Sequence, residues 1–332
     1  MQFATNIFPN VPTPEIIAWA KEAEVAGFEF VGVPDSPLIV RESYATCMAI
    51  ASACNTIGVT PLVTNPVTRH PAVAASALMA IDELAPGRTF AIVGSGDSAV
   101  HMVGKSSARL KEVADYVGAL RGLLRGESVE WEGSSFGPAW PQHDYRNTKV
   151  WMSCHGPKSM HLAGQVADGV VSGFGMRAEN ISFVKERVAA GARSVGRDPT
   201  EVEIWWHPIV TLARSWNEEH LVGLSVHFLF EHGLDGKQVP DELHEPLTIL
   251  HSEMGKWRGS DQFGPETASR AKKLGVYDYL FEREGGFAGS AQDLRERVSQ
   301  LAAAGANRLI LAPYGDGRAI MRRLGEDVLP AF

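Results

Sequence analysis

Cysteine is scarce in this chain: Cys47, Cys54 and Cys154 are three of 332 residues, an odd number with no Cys-x-x-Cys or Cys/His ligand spacing. That argues against a disulfide framework and a zinc cluster, and reduced thiols are the expectation. Positive charge is also short, since 31 Lys and Arg against 39 Asp and Glu leave a formal net charge of -8. A nucleic-acid partner would need a concentrated basic surface, so none is expected. No run approaches the roughly 20 apolar residues of a spanning helix. The amino terminus, MQFATNIFPNVPTP, lacks a basic region followed by a long apolar one. A cytoplasmic protein without a membrane partner is the expectation. Eleven histidines are present, His207, His220, His227 and His232 among them, but no His-Glu-x-x-His frame, and no metal is expected.

What the chain has is ample apolar material, 45% of residues, with 21% charged, enough for one large core. The stretch from Pro61 to Asp97 shows how it is organised. A short apolar run, Val59 to Val63, changes abruptly to Thr64-Asn65-Pro66. Arg69-His70-Pro71 then opens a stretch with Val73, Ala77, Leu78, Ile81 and Leu84 at helical spacing, which Pro86-Gly87 stops. A second β-branched run, Thr89 to Val93, ends in Gly94-Ser95-Gly96-Asp97, a turn with bare backbone amides. Two buried strands joined by one helix, each ending in a polar loop, make a barrel repeat with a binding rim.

The same alternation runs through the chain. Strand-like runs at residues 2–7, 28–33, 59–63, 89–93, 149–153, 169–172, 201–212 and 307–311 alternate with helical patterns at 14–26, 43–56, 72–85, 107–125, 159–167, 178–195 and 291–304. Every run but the seventh is short and almost uniformly apolar, as parallel strands buried on both faces are, and eight of them predict a (β/α)8 TIM barrel over residues 1–332 as a single domain. Two segments break the rhythm. Residues 126–146, with Glu130-Trp131-Glu132-Gly133, predict a hairpin-like insertion. Residues 232–289, long, polar and rich in Gly and Pro, predict a lid-like one. Trp140, His143 and Tyr145 in the first, and Trp257, Phe263 and Phe281 in the second, are aromatic groups able either to close over an apolar substrate or to pack within their loops.

Four blocks in order, Thr64-Asn65-Pro66-Val67-Thr68-Arg69-His70-Pro71, Asp82-Glu83-Leu84-Ala85-Pro86-Gly87-Arg88, Gly94-Ser95-Gly96-Asp97, and His155-Gly156-Pro157-Lys158-Ser159 with Ala167-Asp168-Gly169 after it, carry a resemblance. The whole chain resembles the bacterial luciferase-like superfamily of flavin- and deazaflavin-dependent oxidoreductases, in the branch similar to methylenetetrahydromethanopterin reductase. The resemblance implies a barrel whose carboxyl-end rim holds FMN or an 8-hydroxy-5-deazaflavin. It implies a bulged third strand with a non-prolyl cis peptide under the ring, at Leu62-Val63 or Val63-Thr64, and Ser95 and Asp97 along the ring and ribityl region. It also implies a homodimer, for which Met48, Ile50, Leu78 and Met79 are interface candidates.

The phosphate grip has a case of its own. Gly156-Pro157-Lys158-Ser159 follows a strand and opens a helix, where free amides and the positive end of the helix dipole meet an anion, or where Pro simply starts a helix. The cofactor-binding candidates are therefore Leu62, Val63, Thr64, Asn65, Ser95, Asp97, His155, Gly156, Ser159 and Gly173. For chemistry the candidates are Asp35, Ser36, His70 and His207. In sugar dehydrogenases resembling this chain, an acid at the tip of the second strand is followed by a catalytic histidine. Here Ser36 stands in that place, and a serine without a partner base takes no proton near neutral pH. His70, His155 and His207 have the intrinsic pKa for proton transfer. The leading expectation is a two-component FMN-dependent monooxygenase, fed with reduced FMN by a separate flavin reductase and using dioxygen on a small organic substrate. A deazaflavin-dependent reductase or dehydrogenase that transfers hydride is the alternative, and a non-catalytic flavin-binding barrel is the third.

Overall fold

The computed structural model describes residues 1–140, 148–211, 216–230, 233–254 and 265–332. Among them eleven strands form: β1 (Gln2–Asn6), β2 (Phe30–Val33), β3 (Gly58–Thr64), β4 (Ala91–Val93), β5 (Val129–Trp131), β6 (Ser134–Phe136), β7 (Val150–Cys154), β8 (Gly169–Ser172), β9 (Glu203–Trp206), β10 (Ile209–Val210) and β11 (Arg308–Pro313). All but β5 and β6 pair in parallel, in the order β1-β2-β3-β4-β7-β8-β9-β11, and β11 returns to β1 with Gln2 opposite Arg308. This is the closed (β/α)8 TIM barrel that the alternation predicts.

The seventh position departs from expectation. The run 201–212 is two short strands, β9 and β10, interrupted at His207-Pro208, while Leu212 lies outside the described residues. Proline has no amide hydrogen to give the ladder, so pairing stops there and resumes when Ala312 N donates to Pro208 O at 3.0 Å. The break delivers His207 to the carboxyl end of the barrel.

The helices are α1 (Thr13–Val25), α2 (Ser43–Ala53), α3 (Pro71–Leu84), α4 (Ser98–His101), α5 (Leu110–Leu124), α6 (Pro157–Val166), α7 (Ala178–Ser194), α8 (Trp216–Phe230), α9 (Asp241–Met254), α10 (Pro265–Lys273), α11 (Tyr277–Arg283), α12 (Ala291–Ala303) and α13 (Gly317–Asp327). The expected helix at 107–125 starts only at Leu110, because the Ser107 hydroxyl bonds to Gly96 O and keeps residues 102–109 in a loop against the rim.

The interior of the barrel is filled, not hollow. Ala4, Phe30, Leu62, Ile92, Trp151, Val171, Trp205 and Ile310 form one buried cluster. Phe30 meets Trp205 at 4.9 Å and Phe90 meets Trp151 at 4.5 Å between ring centroids. Side chains along a strand alternate in direction, so the residues two positions on stand over this plug: Asn6, Gly94, Ser153, Gly173 and His207. The peptide Leu62-Val63 is cis, and the register of β3 against β4 shifts between Leu62 and Thr64.

Residues 129–136 form an antiparallel hairpin, β5 with β6, turned by Glu132 (φ 50°) and Gly133 (φ 76°). In the second insertion several of the Gly and Pro residues mark helix ends, although Pro246 lies inside α9: Pro240 precedes α9, Gly275 (φ 71°) follows α10, and Gly285 and Gly286, both with positive φ, follow α11. With α8 these helices have a core of their own, in which Val222, Val226, Leu247, Leu250 and Leu280 are fully buried. Of the expected aromatic groups, Trp140 packs partly buried against the main core and Phe281 against the helical one. His143, Tyr145, His232, Trp257 and Phe263 lie outside the described residues.

Three of the four interface candidates face inward. Ile50 and Leu78 are fully buried and Met79 is 7% exposed, because these faces of α2 and α3 pack on the barrel. Only Met48 stays at the surface, with Val73 and Leu84 of α3.

Candidate functional site

At the carboxyl end of β7, Val150–Cys154 hands over to His155-Gly156 and then to α6, whose N1 residue is Pro157. Ser159 closes the first turn on itself: its Oγ donates to Gly156 O at 2.9 Å. The amides of the first helical turn have no acceptor within the helix, and the dipole adds partial positive charge there. Beside this turn lies a cavity of about 580 Å³ lined by Ser95, Ser107, Arg109, His155, Gly156, Lys158, Ser159, Asp235 and Lys237, among others. Four expected residues, Ser95, His155, Gly156 and Ser159, are thus brought together. Ser107, Arg109, Asp235 and Lys237 come from loops whose local sequence carries no sign of a site.

Lys237 is 4% exposed, and its Nζ donates to His155 O at 2.6 Å and to Phe228 O at 3.3 Å. Arg283, equally buried, donates to Phe174 O at 2.8 Å and Lys237 O at 3.0 Å. These two cations fasten the helical unit to the ends of β7 and β8. The unit in turn lays α8 across the mouth, with His220 against Tyr314 after β11, Phe228 against the His155 ring, and His227 against Asp97. Glu284, beside Arg283 and Lys237, has its carboxyl pushed up to about 7, burial outweighing the opposing pull of Arg283.

Gly173 explains itself here. A Cβ on it would stand 2.5 Å from His155 Cε1, and one on Gly94 would stand 2.9 Å from Val63 Cγ2, so both positions keep the floor clear of side chains. Thr64 and Asn65 end β3 beside them. Asn65 Oδ1 accepts from the amides of Val67 and Thr68 at 3.0 and 2.9 Å, while its buried Nδ2 has no hydrogen-bond partner among the described residues. An orphaned donor, a glycine floor and a cavity ending at a helix N-terminus with cations fit a planar ring system carrying a phosphate.

The other expected residues divide. Asp35 is buried, with Arg69 donating to both its oxygens at 3.0 and 2.8 Å and Thr64 Oγ1 donating at 3.1 Å. Arg69 also pairs with Glu42 and lies 4.5 Å over the Tyr44 ring. Ser36 Oγ meets Ser98 Oγ at 2.9 Å across the rim. His70 is a helix cap: its Nδ1 accepts from Ala72 N at 3.2 Å, and its ring packs between Trp131 and Phe136 of the hairpin. Asp97 lies between His101 at 3.2 Å and His227 at 3.5 Å, and the His227 contact holds its carboxyl below the usual range. His207 stands on the floor with Asn6 Nδ2 3.0 Å from its Nε2, and burial, helped by His155, drops its pKa to about 4. Cys154 is inert, its thiol pushed up to about 12 by burial. No cluster of metal-ligating side chains occurs among the described residues, nor is any described helix long and apolar enough to cross a membrane.

Residues 1–308 match the family model of luciferase-like monooxygenases. Over 208 residues the chain is 33% identical to the 5,10-methylenetetrahydromethanopterin reductase of Methanolobus tindarius, a stretch that covers 61% of this chain and 63% of that relative, just under two thirds of its length. Among solved structures, the coenzyme F420 dependent tetrahydromethanopterin reductase of Methanopyrus kandleri superposes with a TM-score of 0.78 at 18% identity, covering 100% and 99% of the two chains. The oxygenating constituent of 3,6-diketocamphane monooxygenase from the CAM plasmid of Pseudomonas putida, in complex with FMN, superposes at 0.66 and 16% identity, covering 99% and 98%. Both structures share the fold. With a matching model over most of its length and the barrel that goes with it, the chain belongs to the luciferase-like family of oxidoreductases.

Proposed function

We propose that this protein is a deazaflavin-dependent oxidoreductase that moves hydride between an 8-hydroxy-5-deazaflavin and a small organic substrate. The observation that carries this reading over an FMN-dependent monooxygenase is the 33% identity to a methylenetetrahydromethanopterin reductase, whereas the likeness to the FMN-bound oxygenase is one of fold at 16% identity. The cofactor would supply a two-electron hydride carrier. Ser159, Gly156 and the α6 amides would hold its phosphate, with Arg109, Lys158 and Lys237 adding positive charge. The floor of Leu62, Val63, Gly94 and Gly173 would carry the ring, with Thr64, Asn65, Ser95 and His155 at its edges. The helical unit around α8 would act as the cover that excludes water. The chemistry also suits the site: a neutral His207 and a hydroxyl at Ser36 supply no strong base, and hydride transfer at a carbon without a hydroxyl proton to remove asks less of them than alcohol oxidation, in which a base must take that proton as the hydride leaves. The active protein would be a homodimer, with Met48, Val73 and Leu84 as the apolar surface still available on α2 and α3. A cytoplasmic location follows from the same reading.

The test is an anaerobic titration of the apoprotein with reduced deazaflavin and, separately, with reduced FMN, followed by admission of dioxygen. Tighter binding of the deazaflavin, with no dioxygen consumed in step with product, is the expected result. Tighter binding of FMN with coupled dioxygen uptake would replace this reading with the two-component monooxygenase and its reductase partner. Binding of either without turnover would leave a non-catalytic barrel.

A further inference from the structure

Asn6 is the last residue of β1, two positions after Ala4, and His207 comes two positions after Trp205; Ala4 and Trp205 both belong to the buried plug of the barrel. Both side chains therefore stand over the plug, on the floor of the mouth. Asn6 Nδ2 is 3.0 Å from His207 Nε2. Asn6 is 3% exposed, and its Oδ1 has no hydrogen-bond partner among the described residues.

A primary amide facing one imidazole nitrogen permits two arrangements. In the first, the amide NH2 donates to a bare Nε2, and the ring proton sits on Nδ1. In the second, the amide is turned over, Oδ1 accepts from an Nε2–H, and the NH2 is left buried with no acceptor. The first arrangement orphans only a carbonyl oxygen, the second a two-proton donor. Buried donors without a partner are rarer than carbonyl oxygens without one, so the first is preferred. The ring is neutral in either case, since burial, aided by His155 at the end of β7, lowers its pKa to about 4. A neutral imidazole has one N–H to give, and which nitrogen carries it decides what the floor can recognise.

We infer that Asn6 is a positioning residue that locks His207 in its Nδ1–H tautomer, leaving a fixed neutral N–H donor on the floor of the mouth for an acceptor atom of the group bound there. A net hydrogen bond of about 1 kcal/mol corresponds to a tautomer ratio of roughly five to ten to one. The lock also keeps the ring from offering a basic nitrogen to the mouth, because the bare Nε2 is the nitrogen that Asn6 covers. Only the use of the donor rests on the deazaflavin reading. The tautomer is a property of the protein without its cofactor, so failure here leaves that reading standing, and the reverse holds too.

The experiment is long-range proton–nitrogen correlation NMR on the whole protein, labelled with 15N-histidine and held at pH 7.5, with the His207 signals identified by their loss in His207→Gln. The expected wild-type pattern is a protonated Nδ1 and a bare Nε2. Asn6→Asp should reverse it, because a carboxylate at the same place accepts from Nε2–H, and should raise the pKa of the ring. Asn6→Leu should bring the two tautomers close to equal population. A wild-type ring protonated on Nε2, or one averaging both forms, overturns the proposal. So does a wild-type pattern that persists unchanged in Asn6→Leu. Should Asn6→Asp not fold, the wild type and Asn6→Leu decide the matter between them.

Discussion

Two carboxylates stand at the mouth of this barrel, and they are held in opposite ways. Asp35, after β2, is 3% exposed and engaged by both arms of the Arg69 guanidinium and by the Thr64 hydroxyl. Asp97, after β4, is 42% exposed at its side chain and faces His101 and His227, partners that are charged only when protonated. An arginine stays charged throughout the accessible pH range, whereas a histidine releases its proton near neutrality. A carboxylate clamped by a permanent cation and a buried hydroxyl is held in one place, whereas one half-exposed between two histidines is open to a bound group. On this ground we propose Asp97, and not Asp35, as the carboxylate free to act on the bound group, while Asp35 ties the end of β2 to Thr64 and Arg69 after it.

The largest expected effect comes from breaking the tie at Asp35. Arg69→Leu leaves Asp35 buried without its cation, and removing one partner of a buried pair costs about 3–5 kcal/mol. Denaturant unfolding reads this directly. The double variant Arg69→Leu with Asp35→Asn should recover part of the loss, since no unpaired charge remains. A loss below about 1 kcal/mol in the single variant would make the pair a surface one and erase the contrast with Asp97.

His207 sets the next effect, through pH. Its folded pKa is lowered to about 4 from an ordinary 6.5, so between those values the unfolded chain binds a proton that the folded one refuses. The stabilisation is complete above about pH 6.5 and is lost as the pH falls towards 4, by at most about 3 kcal/mol. His207→Gln should flatten that part of the stability curve; an unchanged slope would mean that the imidazole is solvated. Smaller again is Gly173→Ala. The added Cβ meets the His155 ring at 2.5 Å, and overpacking of this kind costs about 1–3 kcal/mol. Because His155 lines the cavity, cofactor affinity should fall by more than the stability does. Equal losses in the two measurements would remove Gly173 from the binding floor.

The barrel was legible in the sequence because parallel strands buried on both faces leave short apolar runs, and the runs that became β1, β2, β3, β4, β7, β8 and β11 are of that kind. The break at His207-Pro208 was visible only as a proline inside a long run. The helical unit was harder to read. α8 is apolar around most of its circumference and so lacks a clear amphipathic period, and Pro240, Gly275, Gly285 and Gly286 sit at helix ends where the composition suggested a loop. The end of β7 was legible because a turn, a proline and a helix start adjoin in sequence. Lys237, Arg109 and Ser107 were not, because they reach the cavity from loops distant in sequence from β7, and the burial of Lys237 and Glu284 is encoded by no local pattern. His70 was open to two readings, a residue type that suits proton transfer and a place just before Pro71 that suits helix entry, and in the structure it caps α3.

Asp97→Asn gives the smallest change in stability and the most telling one in function. Exposed ion pairs of this kind are worth about 0–1 kcal/mol, so the melting temperature should hardly move. What stabilisation the charge gives is present above the ordinary carboxylate range and is lost as the pH falls through the lowered folded value, so a difference between wild type and variant should shrink in acid. Asparagine keeps the size and one acceptor oxygen but can neither carry charge nor exchange a proton. If Asp97 handles charge beside the reacting ring, kcat should fall by about tenfold or more, the size of effect expected when a positioned acid or base is removed, with cofactor affinity little changed. If it serves only to hold α8 through His227, the loss should appear instead as weaker cofactor binding, and His227→Gln should reproduce it. The two variants separate a carboxylate that takes part in the reaction from a latch that closes over it, and a variant with unchanged kcat and unchanged affinity would remove Asp97 from the site altogether.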